Sequence, residues 1–122
     1  MKIVITGNVP SLKNSKQLFK NPKTGQTFIT SSTRVKEWMV DAHWQLKGLP
    51  PVSGYPVAIT MIFFYPTAAV KDLDNSCSTV LDGIKKAGII EDDDYTHVCP
   101  ITLDFGGVDK ENPRVEIYID EP

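Results

Sequence analysis

Cysteine is nearly absent: only Cys77 and Cys99 occur, with no CxxC pair and no histidine at finger-like spacing. Neither a disulfide framework nor a structural zinc site is indicated, and both thiols are expected to be free and buried. Long apolar runs are missing as well. The longest, from Pro56 to Pro66, falls far short of the roughly 20 residues of a spanning helix, so no membrane insertion is expected. The opening MKIVITGNVP has one lysine and a short apolar run, but it lacks the long hydrophobic region and small-residue cleavage site of a secretory signal. A cytoplasmic location is the expectation that follows. There is no Gly/Ser tract, repeat or low-complexity stretch of the kind that opposes packing. His43 and His97 have no neighbour at metal-ligand spacing, and both read as surface or packing residues.

What is present suits a single domain spanning residues 1–122, long enough for one hydrophobic core and too short for two. The net charge of −2 conceals a division. Residues 1–47 hold eight Lys or Arg against Glu37 and Asp41, whereas residues 48–122 hold five basic and thirteen acidic side chains. A basic half can meet a polyanion while an acidic half gathers cations, although uneven surface charge also serves solubility alone.

The pattern predicts a strand over Lys2 to Gly7, rich in β-branched residues and ended by Gly7-Asn8 and Pro10. A polar, basic loop from Asn8 to Lys16 follows. Gln17–Lys20 and Gln26–Thr30 flank turn chemistry at Asn21 to Gly25 and predict a hairpin whose tip presents Lys20 and Lys23. From Thr33 to Lys47 the apolar residues recur at helical spacing, with Ser32 as a cap and Gly48 as a stop, and Trp38 falls on the core stripe. Tyr55 to Tyr65 is apolar on both alternating faces, which suits a central strand covered on each side or exposed only at a subunit interface. A second helix is predicted over about Asn75 to Ala87, stopped by Gly88. Strands are expected near His97–Phe105 and Arg114–Asp120. The fold class is therefore α/β in the α+β sense, two helices packed on a mixed sheet.

The segment Lys71-Asp72-Leu73-Asp74-Asn75 lies where the central strand gives way to the second helix. In an extended segment, residues two apart project to the same side, so Asp72 and Asp74 can aim at one point. Mg²⁺ is commonly held by one or two carboxylates with waters and phosphate oxygens. The plain alternative makes Asp74 the helix N-cap and Asp72 a solvated neighbour. Glu91-Asp92-Asp93-Asp94 forms a second acidic element whose charges repel unless a cation or solvent relieves them. A helix of about 13 residues carries the chain about 20 Å from Asp74. For Asp93 to share a cation with Asp74, residues 88–93 must run back extended, or a partner subunit supplies the acid.

Asp72-Leu73-Asp74-Asn75, then Asp82, Lys86-Ala87-Gly88 and Asp92-Asp93, together with Val9-Pro10-Ser11-Leu12-Lys13-Asn14-Ser15 near the start, resemble the RusA-type Holliday-junction resolvases. The specific part of the resemblance is residues 72–93. It implies a RusA-like fold and a homodimeric, Mg²⁺-dependent endonuclease, with Mn²⁺ able to substitute, that nicks symmetrically related strands of branched, four-way DNA. Carried over by position, Asp72, Asp74 and Asp93 are the implied catalytic carboxylates and metal ligands. The family's lysine four residues after the second aspartate is replaced by Ser78.

Phosphate contacts are expected from Lys13, Lys16, Lys20, Lys23, Arg34 and Lys36, with Lys71 and Lys86 nearer the carboxylates. Two other readings stay open: a structure-selective DNA-binding protein weakened in cleavage by Ser78, and a small protein-interaction domain with a solvated acidic turn.

Overall fold

The computed structural model describes residues 1–11, 23 and 33–122, together with the strand backbone of 16–20 and 27–31. The chain runs β1 (Lys2–Thr6), β2 (Lys16–Lys20), β3 (Thr27–Ser31), α1 (Thr33–Leu46), β4 (Val57–Tyr65), α2 (Leu73–Lys86), β5 (Val98–Val108) and β6 (Arg114–Asp120). A four-stranded mixed sheet has the order β1-β6-β4-β5, and β2 pairs with β3 in a separate antiparallel hairpin. Fold class and hairpin both agree with the pattern of the sequence. Ser32 and Lys13 lie outside the described residues, as do the side chains of Lys16 and Lys20.

β4 is central because it is the strand best able to bury a face. Val57, Ile59, Met61, Phe63 and Tyr65 are all essentially inaccessible. They share one core with Ile3 and Ile5 of β1, Val115, Ile117 and Ile119 of β6, and the apolar stripes of α1 and α2. The alternate residues Ala58, Thr60, Ile62 and Phe64 are only half-buried, so the second face of β4 is not fully covered. Both helices thus serve one face of the sheet. On the other face the Arg114 guanidinium lies 3.8 Å from the centre of the Phe64 ring. Gly106 is there because a Cβ would come within 2.5 Å of that ring.

Parallel pairing of β4 with β5 requires a crossover, and α2 provides it. α2 begins two residues earlier than the sequence suggested. Asp72 is its N-cap, with extended backbone, and Leu73 and Asp74 are already helical. Asp72 and Asp74 therefore do not share the face of an extended segment as expected, since residues two apart at a helix start point in different directions. At the other end Gly88 adopts φ +79, the left-handed turn that glycine accepts without a Cβ clash. Ile89 and Ile90 then plunge into the core.

Cys77 is buried as expected, but Cys99 is exposed on β5. β5 is an edge strand, so few neighbours cover its outward residues. Among the described residues no helix is long and apolar enough to cross a membrane.

Candidate functional site

The exposed segment 67–72 links β4 to α2 and sets Asp72 at the helix cap. The Asp72 carboxylate makes no capping hydrogen bond; it accepts a long one, 3.4 Å, from Asn75 Nδ2. Asp74 is exposed in the first turn, where the helix dipole favours a negative charge. Ser78, one turn on, donates its hydroxyl to the Asp74 carbonyl at 3.2 Å. No positive charge stands at that position.

The second acidic element is brought back along the flank of α2. Buried Ile89 and Ile90 anchor the return, and Val52 N–H donates to the Ile89 carbonyl at 3.0 Å. Glu91 N–H donates to the Tyr55 hydroxyl at 2.9 Å. Beyond that point the acidic residues face outward, and Lys85 Nζ sits 3.8 Å from both Asp92 and Asp93. Helical side chains lean toward the N-terminus, so Lys85 holds Asp93 beside the body of the helix rather than past its end.

Cys77 registers the outcome. Its thiol is pushed up to about 11, first by burial, then by the negative charges of Asp74 and of Asp93. The carboxylates from opposite ends of α2 therefore act on one buried atom. At that pKa the thiol is no nucleophile at neutral pH.

Two buried hydroxyls fix the helix that carries these acids. Ser76 Oγ and the Tyr65 hydroxyl lie 2.8 Å apart, and burial raises the Tyr65 pKa. Thr79 donates to the Pro10 carbonyl at 2.7 Å, tying the start of the basic loop to α2.

Next to Asp93, Asp94 accepts from the Thr96 amide at 3.0 Å, from the Thr96 hydroxyl and from His97 Nδ1 at 2.8 Å. The Thr96 hydroxyl first, and His97 after it, hold the Asp94 carboxyl down at about 2. The His97 pKa is raised, chiefly by its hydrogen bond to Asp94. His97 thus has a partner that its sequence context did not disclose, since a spacing of three outside a helix carries no geometric implication.

No model of a known protein family matches the chain, and a search of curated proteins finds no relative.

The residues must therefore speak for themselves. Among the described residues, no three His, Cys, Asp or Glu side chains are gathered so as to chelate an ion unaided. A hydrated divalent cation asks for less: one or two hard carboxylates, with water and phosphate oxygens for the rest. Asp72 at the cap and Asp74 in the first turn are both exposed and are carboxylates of that type, with Asp93 on the flank of the helix. Of the basic residues named from sequence, Lys23, Arg34, Lys36 and Lys71 are exposed. Lys86 is engaged by Asp82 at 3.1 Å. Lys71 Nζ stands 5.7 Å from the centre of the Tyr65 ring. Lys85, Ser76, Thr79 and Tyr65 complete the surroundings of the acids.

Proposed function

We propose that this protein is a metal-dependent endodeoxyribonuclease that nicks branched DNA, of the kind its residues 72–93 resemble, the RusA-type Holliday-junction resolvases. The observation that carries the reading is the placing of exposed Asp72 and Asp74 at the start of α2 while Lys85 of the same helix, 3.8 Å from Asp93, keeps the second acidic element beside it. Such gathering of like charge in a folded chain is costly unless solvent or a cation offsets it.

In this reading Asp72, Asp74 and Asp93 hold Mg²⁺, with Mn²⁺ able to substitute. When bound, the ion supplies Lewis acidity for phosphodiester hydrolysis. The chain itself holds two of the carboxylates at the start of α2 and the third in the loop that follows it. One of them accepts the proton of the attacking water, and Lys71 offsets charge on the phosphate. The basic residues of the first 47 bind the backbone of the arms. A two-fold dimer presents two such sites to a two-fold junction, so paired nicks follow from symmetry.

The test is a cleavage assay on a synthetic four-way junction with Mg²⁺, comparing the native protein with Asp74→Asn. Metal-dependent nicking by the native protein that falls at least roughly a hundredfold in Asp74→Asn supports the reading. Nicking that is unchanged by Asp74→Asn, or independent of added metal, overturns it. A second reading rests on Ser78, whose hydroxyl is turned back to the Asp74 carbonyl, leaving no cation there. On that reading the protein binds junctions without cutting them, and a gel shift with no nicking in either protein selects it.

A further inference from the structure

Phe63, Tyr65 and Phe105 form an aromatic ladder that climbs from the core to the surface. Phe63 and Tyr65 are stacked with ring centres 6.0 Å apart, and Tyr65 and Phe105 with centres 6.2 Å apart and planes 19° from parallel. The first two rings are buried, whereas Phe105 is 52% exposed. The ladder is held from both sides. The Tyr65 hydroxyl bonds to Ser76 of α2, and Phe105 belongs to β5, with its backbone N–H donating to its neighbour Asp104 at 2.8 Å.

A cavity of about 300 Å³ opens at the top of this ladder, lined by Tyr65, Thr67, Lys71, Leu73 and Phe105 among others. Leu73 is the residue between Asp72 and Asp74, so the cavity adjoins the segment that carries both carboxylates. Its volume is at the lower end of the range for ligand sites, enough for one planar ring and not for a base pair. Its walls offer aromatic faces and one cation, with few groups suited to reading a base edge. That combination fits a stacked base with its phosphate attached, since every base has a face for an aromatic ring and every phosphate answers to a lysine.

We propose that this cavity takes one unpaired nucleobase of the cleaved strand, stacked on the exposed face of Phe105, with its phosphate held by Lys71 and directed toward Asp72. The proposal rests on the nuclease reading and deepens it by naming how the strand is seated. Stacking of this type is tolerant of base identity, so Phe105 governs placement rather than sequence choice. A base leaves its stack most cheaply where pairing is already interrupted, and a branch point is such a place.

The experiment uses the full chain and four-way junctions carrying a single abasic nucleotide, scanned through the positions flanking the nick. For the native protein, one abasic position is expected to weaken binding roughly tenfold, within the range for loss of one base–aromatic stack. Phe105→Ala should weaken binding of the intact junction by a similar factor and lose no more on the abasic one. Phe105→Trp should restore the native pattern. Because the side chain is half exposed on an edge strand, thermal melting of Phe105→Ala should be close to native, which separates lost stacking from lost structure. Equal binding of intact and abasic junctions by the native protein overturns the proposal while leaving the nuclease reading intact. Equal weakening of both junctions by Phe105→Ala also overturns it, as would follow if the ring served only packing or dimer contact. Failure of the native protein to bind any junction sinks both ideas together.

Discussion

Ser78 stands one turn beyond Asp74 and spends its hydroxyl on the Asp74 carbonyl. A lysine there would reach past that carbonyl toward the carboxylates, where a positive charge offsets charge developing on a phosphate. Ser78→Lys is therefore expected to raise the rate of junction nicking by roughly tenfold or more while changing affinity little, read from single-turnover kinetics. An unchanged rate would mean that Lys71 or Lys85 already meets the need. Thr79 contributes differently. Its hydroxyl reaches the Pro10 carbonyl at 2.7 Å, both groups being buried, and Thr79→Val removes that donor. The expected cost is about 1–3 kcal/mol in chemical denaturation, with the first loop released from α2. The place of Ser78 was legible in sequence, but the contact made by Thr79 was not. Asp72, Asp74 and Asp93 were visible because acidic residues cluster in the chain, but a bond between residues 79 and 10 follows only from the completed fold.

At the level of elements, the loop between α2 and β5 is built to hold Asp93 outward. Ile89 and Ile90 anchor one end, and at the other the His97 and Val98 amides both donate to the Asp94 carbonyl, at 3.0 and 2.9 Å. The His97 ring is clamped by Asp94 at 2.8 Å, faces Glu91 at 3.8 Å and packs edge-on against Tyr55 at 4.8 Å. Its raised pKa means that the proton is bound more tightly in the folded loop than in the unfolded chain. The resulting stabilisation is fully present below the ordinary imidazole value of 6.5. It is lost as pH rises through the higher folded value. NMR titration should accordingly place His97 above 6.5, and Asp94→Asn should bring it back down. Amide exchange at His97 and Val98 should quicken in that variant and, in the native protein, at alkaline pH beyond the intrinsic base dependence. A His97 titration at or below the ordinary value would contradict this account of the loop.

The elements themselves were largely readable. β-Branched content gave β1, an apolar run on both faces gave β4 and alternation gave β6, while helical spacing gave α1 and α2, and Pro and Gly marked the hairpin between β2 and β3. The start of α2 was misplaced because Asp74 reads as a cap from its residue type, although Leu73, four residues before Cys77, already lies on the apolar stripe and packs against the core. The exposure of Cys99 was misjudged because β5 is an edge strand, and edge position depends on sheet order, which local pattern does not encode.

Across the whole molecule, charge is sorted along the chain. Eight basic side chains precede residue 48, and thirteen of the fifteen acidic ones follow it. Binding to DNA by the first part should therefore be governed by counterion release. If Lys13, Lys16, Lys20, Lys23, Arg34 and Lys36 each neutralise one phosphate, log affinity should fall with log salt at a slope of about −5 per chain, and about −10 if both chains of a dimer engage. The two slopes differ enough to tell one engaged subunit from two. Lys20→Gln should lower the magnitude by about one unit per chain with no change in sequence dependence. Lys86→Gln should do less, since Asp82 already holds that ammonium at 3.1 Å and an ion paired in the free protein has fewer counterions to release. A slope near zero, or equal effects from Lys20→Gln and Lys86→Gln, would show that the basic half of the chain is solvated surface and not the face that meets DNA.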